Sequence, residues 1–328
     1  MSSPAATLVT GATGLVGNNV VRLLHQRGDR VRVLVRATAD RRALEGLDLD
    51  VAEGDVRDEA SVRRACEGVG AVCHCAGYVR IGWAQPEVYQ AINVAGTRHV
   101  AEACRAAGVR MVHVSSTDVF GGCSLARPTD EDTPPGAGPL VPYVTTKREA
   151  ERVVAEQTAA GLDAVTVNPA FMLGPWDWKP SSGKMLVAAS RGLIFFAPRG
   201  WFSLCDVRDV AAAIVAARDR GTTGRRYILG GRTMQWIDAL RMFATIGGWR
   251  KPLCRAGAVT LKMSGWCGDL WGRLSGNEPE LNSAAVALAW LPKNYSSERA
   301  RQELGYEIRP TEVTIRDAWS WFRAHGYL

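Results

Sequence analysis

Tyr143 and Lys147 stand four residues apart in PYVTTKREAE, and roughly 130 residues earlier the chain carries a glycine-rich turn, TGATGLVG, over residues 10–17. A free phenol loses its proton only near pH ~10. It is therefore a poor general acid or base at neutral pH unless a cation and a hydroxyl stabilise the phenolate. Lys147 can be that cation, because side chains four apart on a helix share a face; its ammonium would sit beside the phenol and within reach of a bound ribose. Ser116, at the end of MVHVSS, can donate to a substrate carbonyl oxygen. Ser115 and Thr117 are adjacent alternatives, and alternation along a strand lets only some of the three face a cleft. A Y-x-x-x-K pair alone is weak; its place after a serine-bearing strand and a glycine-rich first turn points to hydride transfer.

The turn supplies the other half of that chemistry. Gly11, Gly14 and Gly17 lie between a strand and a helix, where a missing Cβ lets backbone approach a pyrophosphate and the helix N-terminus faces the phosphates. Thr13, Leu15 and Val16 share that approach. The spacing is G-x-x-G-x-x-G, which departs from the common G-x-G-x-x-G fingerprint. About 20 residues on, where an acid would hold the ribose of NAD, stands Arg36. A guanidinium cannot accept from a 2′-hydroxyl but can clamp a 2′-phosphate. With Arg41 or Arg42 in support, NADP(H) is expected over NAD(H). Asp55 and Val56, in EGDVRD, sit where an adenine could be held; a turn or helix cap is the competing role for Asp55.

These groups need a scaffold, and the chain reads as one. Short β-branched runs at 7–10, 30–35, 49–53, 71–75, 111–115 and 164–168 are followed by amphipathic stretches, among them 15–26, 91–107 and 143–160. This is the pattern of parallel strands joined by crossover helices. The fold class is therefore α/β, a Rossmann-type doubly wound parallel sheet with about six or seven strands. Past Asn168, PAFMLGPWDWKPSSGKM breaks the periodicity, and a loop-rich lobe begins. The chain returns to the sheet at CDVRDVAAAIVAARD and RRYILGG, and ends in a small helical piece. The dinucleotide-binding domain is thus expected over 1–168, completed by about 203–231, with 169–202 and 232–328 forming a smaller, interleaved substrate lobe.

Composition narrows the function. The chain has 328 residues, 47% hydrophobic and 22% charged, enough for a sizeable core. Its net charge of +7 is dispersed among acids, so nucleic acid is not an expected partner. Residues 253–274 are apolar but interrupted by Lys262, Asp269 and Arg273, which argues against a transmembrane span. The opening segment lacks a basic region followed by a long apolar run, so a cytoplasmic location is expected. Eight cysteines, Cys123 among them, show no C-x-x-C pair; reduced thiols are expected and no metal.

Together these motifs resemble the short-chain dehydrogenase/reductase superfamily, in its extended branch. The resemblance covers nearly the whole chain, on TGATGLVG, GDVRD, HCAG at 74–77, NVAGT at 93–97, VSSTDVFG, YVTTK, NPAFMLGP and DVRDVA. It implies that Ser116, Tyr143 and Lys147 are catalytic, with Asn93 in support. It also implies that Cys75, Ala76, Gly77, Asn168 and Pro169 border the cofactor, and that the protein is a homodimer built on helices flanking the sheet, one of them carrying Tyr143. The first third is similar to dihydroflavonol reductase and 3β-hydroxysteroid dehydrogenase-like members, and also to hopanoid-associated sugar epimerases. Where sugar-nucleotide members carry an arginine for a diphosphate, this chain has Phe202, with Arg199 nearby.

Residues after the carboxyl ends of parallel strands are candidates for a pocket. They are Tyr78, Arg80 and Trp83, then Phe171, Met172, Trp176 and Trp178, then Phe196, Trp201 and Phe202, with Thr117 beside Ser116. Most are aromatic or apolar. The sequence therefore predicts a secondary alcohol and ketone interconverted on a hydrophobic, cyclic or open substrate. The alternative is a sugar or nucleotide-sugar epimerase or dehydratase with tightly held NAD(P), and a dinucleotide sensor without turnover stands behind both.

Overall fold

The computed structural model describes residues 5–121, 124–136, 138, 140–192 and 194–328; Cys123 lies outside the described residues. Seven strands form the central sheet: β1 (Ala6–Thr10), β2 (Val31–Val35), β3 (Asp50–Glu53), β4 (Val69–His74), β5 (Arg110–Val114), β6 (Ala164–Pro169) and, late in the chain, β10 (Arg226–Leu229). Their order is β10-β6-β5-β4-β1-β2-β3. Every pairing is parallel. β1 and β6 are buried along their whole length, as strands covered on both faces must be, which is why they read as unbroken β-branched runs.

On one face pack α1 (Leu15–Gln26) and α7 (Val207–Arg220), with Val20, Val21 and Leu24 meeting the sheet beside Val210 and Ile214. On the other lie α2 (Glu59–Cys66), α4 (Gly96–Ala107) and α5 (Pro142–Ala159), through Val62, Val100, Cys104 and Val154. The helix expected from residue 91 starts earlier. A short α3 (Pro86–Tyr89) runs through a π-helical turn, Gln90–Ala95, into α4. One extra residue in a turn leaves no trace in hydrophobic periodicity, but it is a frequent mark of functional positions.

A second sheet has the order β11-β9-β7, from β7 (Phe171–Leu173), β9 (Trp201–Asp206) and β11 (Arg232–Gln235); β8 (Phe196–Ala197) pairs separately with β12 (Cys254–Arg255). With α6 (Lys184–Ser190), α8 (Trp236–Gly247) and α12 (Thr311–Ala324) it encloses its own core, including Leu173, Leu186, Phe202, Leu240, Phe243 and Phe322. The helices α9 (Ala258–Ser275) and α10 (Ser283–Ala289) follow. The tail divides: Ala300 and Leu304 of α11 (Glu298–Leu304) and Tyr306 enter the core of the main sheet, while α12 enters that of the lobe.

Phe202, named above as a pocket residue, is instead the centre of the lobe core. It is 1% exposed. Its ring stacks on Trp236 at 4.0 Å and meets Phe171 edge-on at 5.4 Å. An aromatic composition does not reveal whether a ring faces a ligand or another ring. Phe202→Ala is expected to destabilise the fold by about 3–5 kcal/mol, measured by urea unfolding.

Candidate active site

Strand order reverses between β1 and β4, and the turns after these two strands touch across that switch point. A Cβ on Gly11 would lie 2.7 Å from the Ala76 nitrogen, and one on Gly17 would overlap the Gly11 carbonyl. Gly11 also has a φ of 69°, a left-handed backbone that glycine adopts without strain. The chain closes the corner with Gly14 N donating to Gly11 O at 3.0 Å, Cys75 N to Thr10 O at 3.2 Å and Ala76 N to the Thr10 hydroxyl at 3.2 Å. Gly14 caps α1 with no side chain, and the first turn holds no acid. The first amides of the helix are therefore free to face an anion, so the cradle fits a dinucleotide pyrophosphate.

At the end of β2, Arg36 is exposed and has no ion pair among the described residues. Arg41 is paired with Glu53 at 3.2 Å and Arg42 with Asp40 at 2.7 Å, so neither is as free to assist as the sequence reading required. Asp55 takes the competing role weighed for it. Its carboxylate accepts from the Arg57 backbone at 2.9 Å and pairs with the Arg57 guanidinium at 2.7 Å, fixing the turn after β3. Val56 is buried against Gly96, and its carbonyl is 2.9 Å from His99 Nδ1.

Tyr143 opens α5 directly after Pro142, a residue suited to a first helical position because its missing N–H costs nothing there. Its ring is buried with Tyr89, Val141, Val144, Ala284 and Leu288, and Tyr78, Ile81 and Leu291 pack around them. Burial, and then the Asp118 carboxylate, push the phenol far above its usual 10.0, while a hydrogen bond with Ser116 pulls it back. Ser116 Oγ accepts from Asp118 N at 3.2 Å, leaving its proton to donate. Of the three hydroxyls after β5, Ser116 is the one in contact with the phenol; Thr117 is buried in the following short turn.

Lys147 lies one turn along, 4% exposed, with Nζ donating to the Val114 carbonyl at 2.9 Å. A Cβ on Gly77 would be 3.3 Å from Nζ and 3.5 Å from Asn93 Oδ1, so Gly77 admits these groups to the turn after β4. Burial lowers the ammonium from 10.5 to about 8, against the opposing pull of Glu151 and Cys75. The folded chain thus holds this proton less tightly than the unfolded one. The resulting cost is full below pH 8 and vanishes above 10.5, so the lysine contributes a rise in stability of about 3 kcal/mol over that window. Lys147→Met is expected to remove this rise, read as the difference between the two thermal midpoints across pH 8–10.5 without cofactor.

Glu151, Asp118 and Lys293 escaped the sequence reading, and Asn168 and Asn93, which did not, act as positioning residues beside them. Glu151 sits one further turn along α5 and accepts from Asn168 Nδ2 at 2.5 Å; the same amide donates to the Ser116 carbonyl at 3.1 Å. The Asn168 amide therefore anchors the serine segment, where the resemblance had it bordering the cofactor. The spacing Y-x-x-x-K-x-x-x-E could have revealed Glu151. Asp118 pairs with Lys293 at 2.5 Å, a partner 175 residues away that no local motif announces. Asn93, in the π-helical turn, accepts from Tyr78 N at 2.7 Å and donates to Tyr78 O at 3.1 Å, so it pins the residue that flanks Tyr143.

The other pocket candidates go elsewhere. Trp83 is half-exposed and bound to Ser283 Oγ at 2.8 Å, while Arg80 donates to the Glu278 carbonyl. Phe171 packs into the lobe core, and Met172 against the main core. Phe196 is exposed and Trp201 half-buried. Trp176, at a φ of 71°, lies under the Arg22 guanidinium at 3.3 Å and beside Trp178 and Trp321. These two indoles join α1 to α12.

A parallel sheet with a glycine turn at its switch point, and a Ser–Tyr–Lys set over the adjoining strands, define a nicotinamide-dinucleotide enzyme. Residues 7–230 match the NAD dependent epimerase/dehydratase family, and the chain belongs to it, within the extended short-chain dehydrogenases/reductases. It is an NAD(P)-dependent oxidoreductase by class. The chain is 34% identical over 332 residues to sterol demethylase protein B of Methylococcus capsulatus, covering 98% of this chain and 99% of that one. It is 28% identical over 320 residues to the 4-hydroxy-2-methyl-3-oxo-4-farnesyl-3,4-dihydroquinoline-1-oxide ketoreductase of Stigmatella aurantiaca, covering 95% of each. The crystal structure of gox2253 superposes with a TM-score of 0.87 at 34% identity, covering 99% of each chain.

Proposed function

We propose that this protein is an NADP(H)-dependent oxidoreductase that interconverts a secondary alcohol and a ketone on a hydrophobic, ring-bearing substrate. The observation that carries this reading is the wall around Tyr143: it shares an apolar cluster with Val144 and Leu288, Tyr78 and Ile81 pack against that cluster, and the nearby charges Asp118 and Lys293 neutralise each other. Such surroundings favour an apolar substrate over a sugar diphosphate. The names of the Methylococcus and Stigmatella relatives, a sterol enzyme and a ketoreductase on a farnesylated ring, support the same substrate class.

The bound nicotinamide would supply or accept the hydride. In reduction Ser116 donates to the carbonyl oxygen and Tyr143 protonates it. Lys147, charged below pH 8, stabilises the phenolate left behind. Gly11, Gly14 and Gly17 with the α1 amides would hold the pyrophosphate, and Arg36 the 2′-phosphate. The lobe residues Ala284, Leu288 and Leu291 close the substrate side, and the resemblance supports a homodimer.

The decisive assay follows NADPH and NADH oxidation with a panel of hydrophobic ketones and steroids. Ketone-dependent loss of NADPH supports the proposal. The family also contains epimerases, and the same Ser–Tyr–Lys set serves their first step. Cofactor retained through purification and unconsumed by any carbonyl would select that reading instead.

A further inference from the structure

Helix α9 is built inside out. Its glycines Gly265, Gly268 and Gly272 face the protein: a Cβ on Gly268 would overlap the Leu281 carbonyl, and those on Gly265 and Gly272 would crowd the Ser283 and Glu278 backbones. The opposite face carries Val259, Met263, Trp266, Leu270 and Leu274, at i, i+4, i+7, i+11 and i+15, a single stripe along the helix. All five are exposed, Trp266 by 69% and Leu274 by 76%. A helix that buries its small residues and offers its large ones to water has an unmet partner.

The charges along the segment say which partner. Residues 250–275 hold Arg250, Lys251, Arg255, Lys262 and Arg273 against a single acid, Asp269. That carboxylate is already engaged, accepting from Ser283 N at 3.0 Å. None of the five cations has an ion pair among the described residues. On the helical wheel Lys262 and Arg273 flank one edge of the apolar stripe, and Trp271 the other. A second copy docking here would bring like charges together, which opposes self-association. An anionic lipid surface matches on both counts: it takes the apolar side chains, seats the indoles at the headgroup level and attracts the cations. No helix of the described residues is long and apolar enough to cross a membrane, so the contact would be peripheral.

We infer that α9 is an interfacial helix that docks the protein on an anionic membrane surface. The position has a use. The glycine face of α9 rests on residues 277–283, and the next element, α10, supplies Ala284 and Leu288 to the apolar wall of Tyr143. On the proposed function, a lipid-dissolved substrate would then lie one layer of protein from the phenol. The docking itself does not depend on that reading.

The test uses the full chain with vesicles of phosphatidylcholine alone or with about 30% phosphatidylglycerol, followed by co-sedimentation. Binding to the anionic vesicles is expected to be tighter by about tenfold or more, and to weaken in about 0.5 M salt. The double substitution Trp266→Glu and Leu270→Glu should abolish it; both side chains are solvent-facing, so circular dichroism and the thermal midpoint should match the parent. Absence of binding, indifference to the anionic lipid, or equal binding by the substituted protein would each overturn the inference. So would a lipid-free dimer that dissociates on the same double substitution, since it would assign the stripe to a second copy.

Discussion

Tyr143→Phe is expected to lower the turnover of ketone-dependent NADPH oxidation by about 10²–10⁴-fold, the usual contribution of a positioned proton donor. The cause is confined to one hydroxyl. Phenylalanine fills the same space among Tyr89, Val144 and Leu288, so the apolar surroundings survive the change. Burial already holds the phenol in its protonated form at neutral pH. Hence the substitution costs the fold little while removing the proton that, on the proposed mechanism, is transferred to the carbonyl oxygen; the Ser116 hydroxyl would still donate its hydrogen bond. NADPH affinity, which on the proposed function rests on the glycine turn and Arg36, should stay within about twofold, since additivity holds for sites without shared partners. Turnover retained in the phenylalanine protein would end the mechanism. A parallel loss of cofactor binding would show that the residue shapes the site and does not act in it.

The second large effect concerns cofactor choice. Arg36→Asp should reduce the NADPH to NADH preference, expressed as the ratio of kcat/KM values, by about 100-fold or more. Two terms add: a charge-assisted bond to the 2′-phosphate is lost, and the new carboxylate repels that phosphate while accepting from a 2′-hydroxyl. Arg36 is exposed and without an ion pair among the described residues, whereas Arg41 and Arg42 are held by Glu53 and Asp40 and so are less free to substitute for it. An unchanged ratio would make Arg36 an ordinary solvated surface residue, with the cofactor preference set elsewhere.

The parts legible in the sequence share one property: their physical requirement is local. A tight turn needs glycine, so Gly11, Gly14 and Gly17 announce it. A strand covered on both faces needs unbroken apolar runs, so the strands of the main sheet could be read. Tyr143 and Lys147 are visible because a helix fixes what lies four residues away. What could not be read depends on partners distant in the chain. Nothing in GWFSLCDVRDVA says that Phe202 will stack on Trp236, and nothing near Trp176 says that Arg22 will cover it. Leu288 and Lys293 reach the site from a late part of the chain, and the second sheet joins strands too short for a pattern to show.

The threading of the chain between its two cores has a consequence for how the protein comes apart. The backbone leaves the main sheet after β6, returns with α7 and β10, leaves again for α8, sends α11 back, and ends in the lobe with α12. No single cut separates one core from the other. Each core contains segments whose neighbours in sequence belong to its counterpart, so neither can lose order alone without dragging strands or helices out of the other. Sheet and lobe therefore share a single cooperative unit, and the wall of the site keeps its shape for as long as the dinucleotide cradle does.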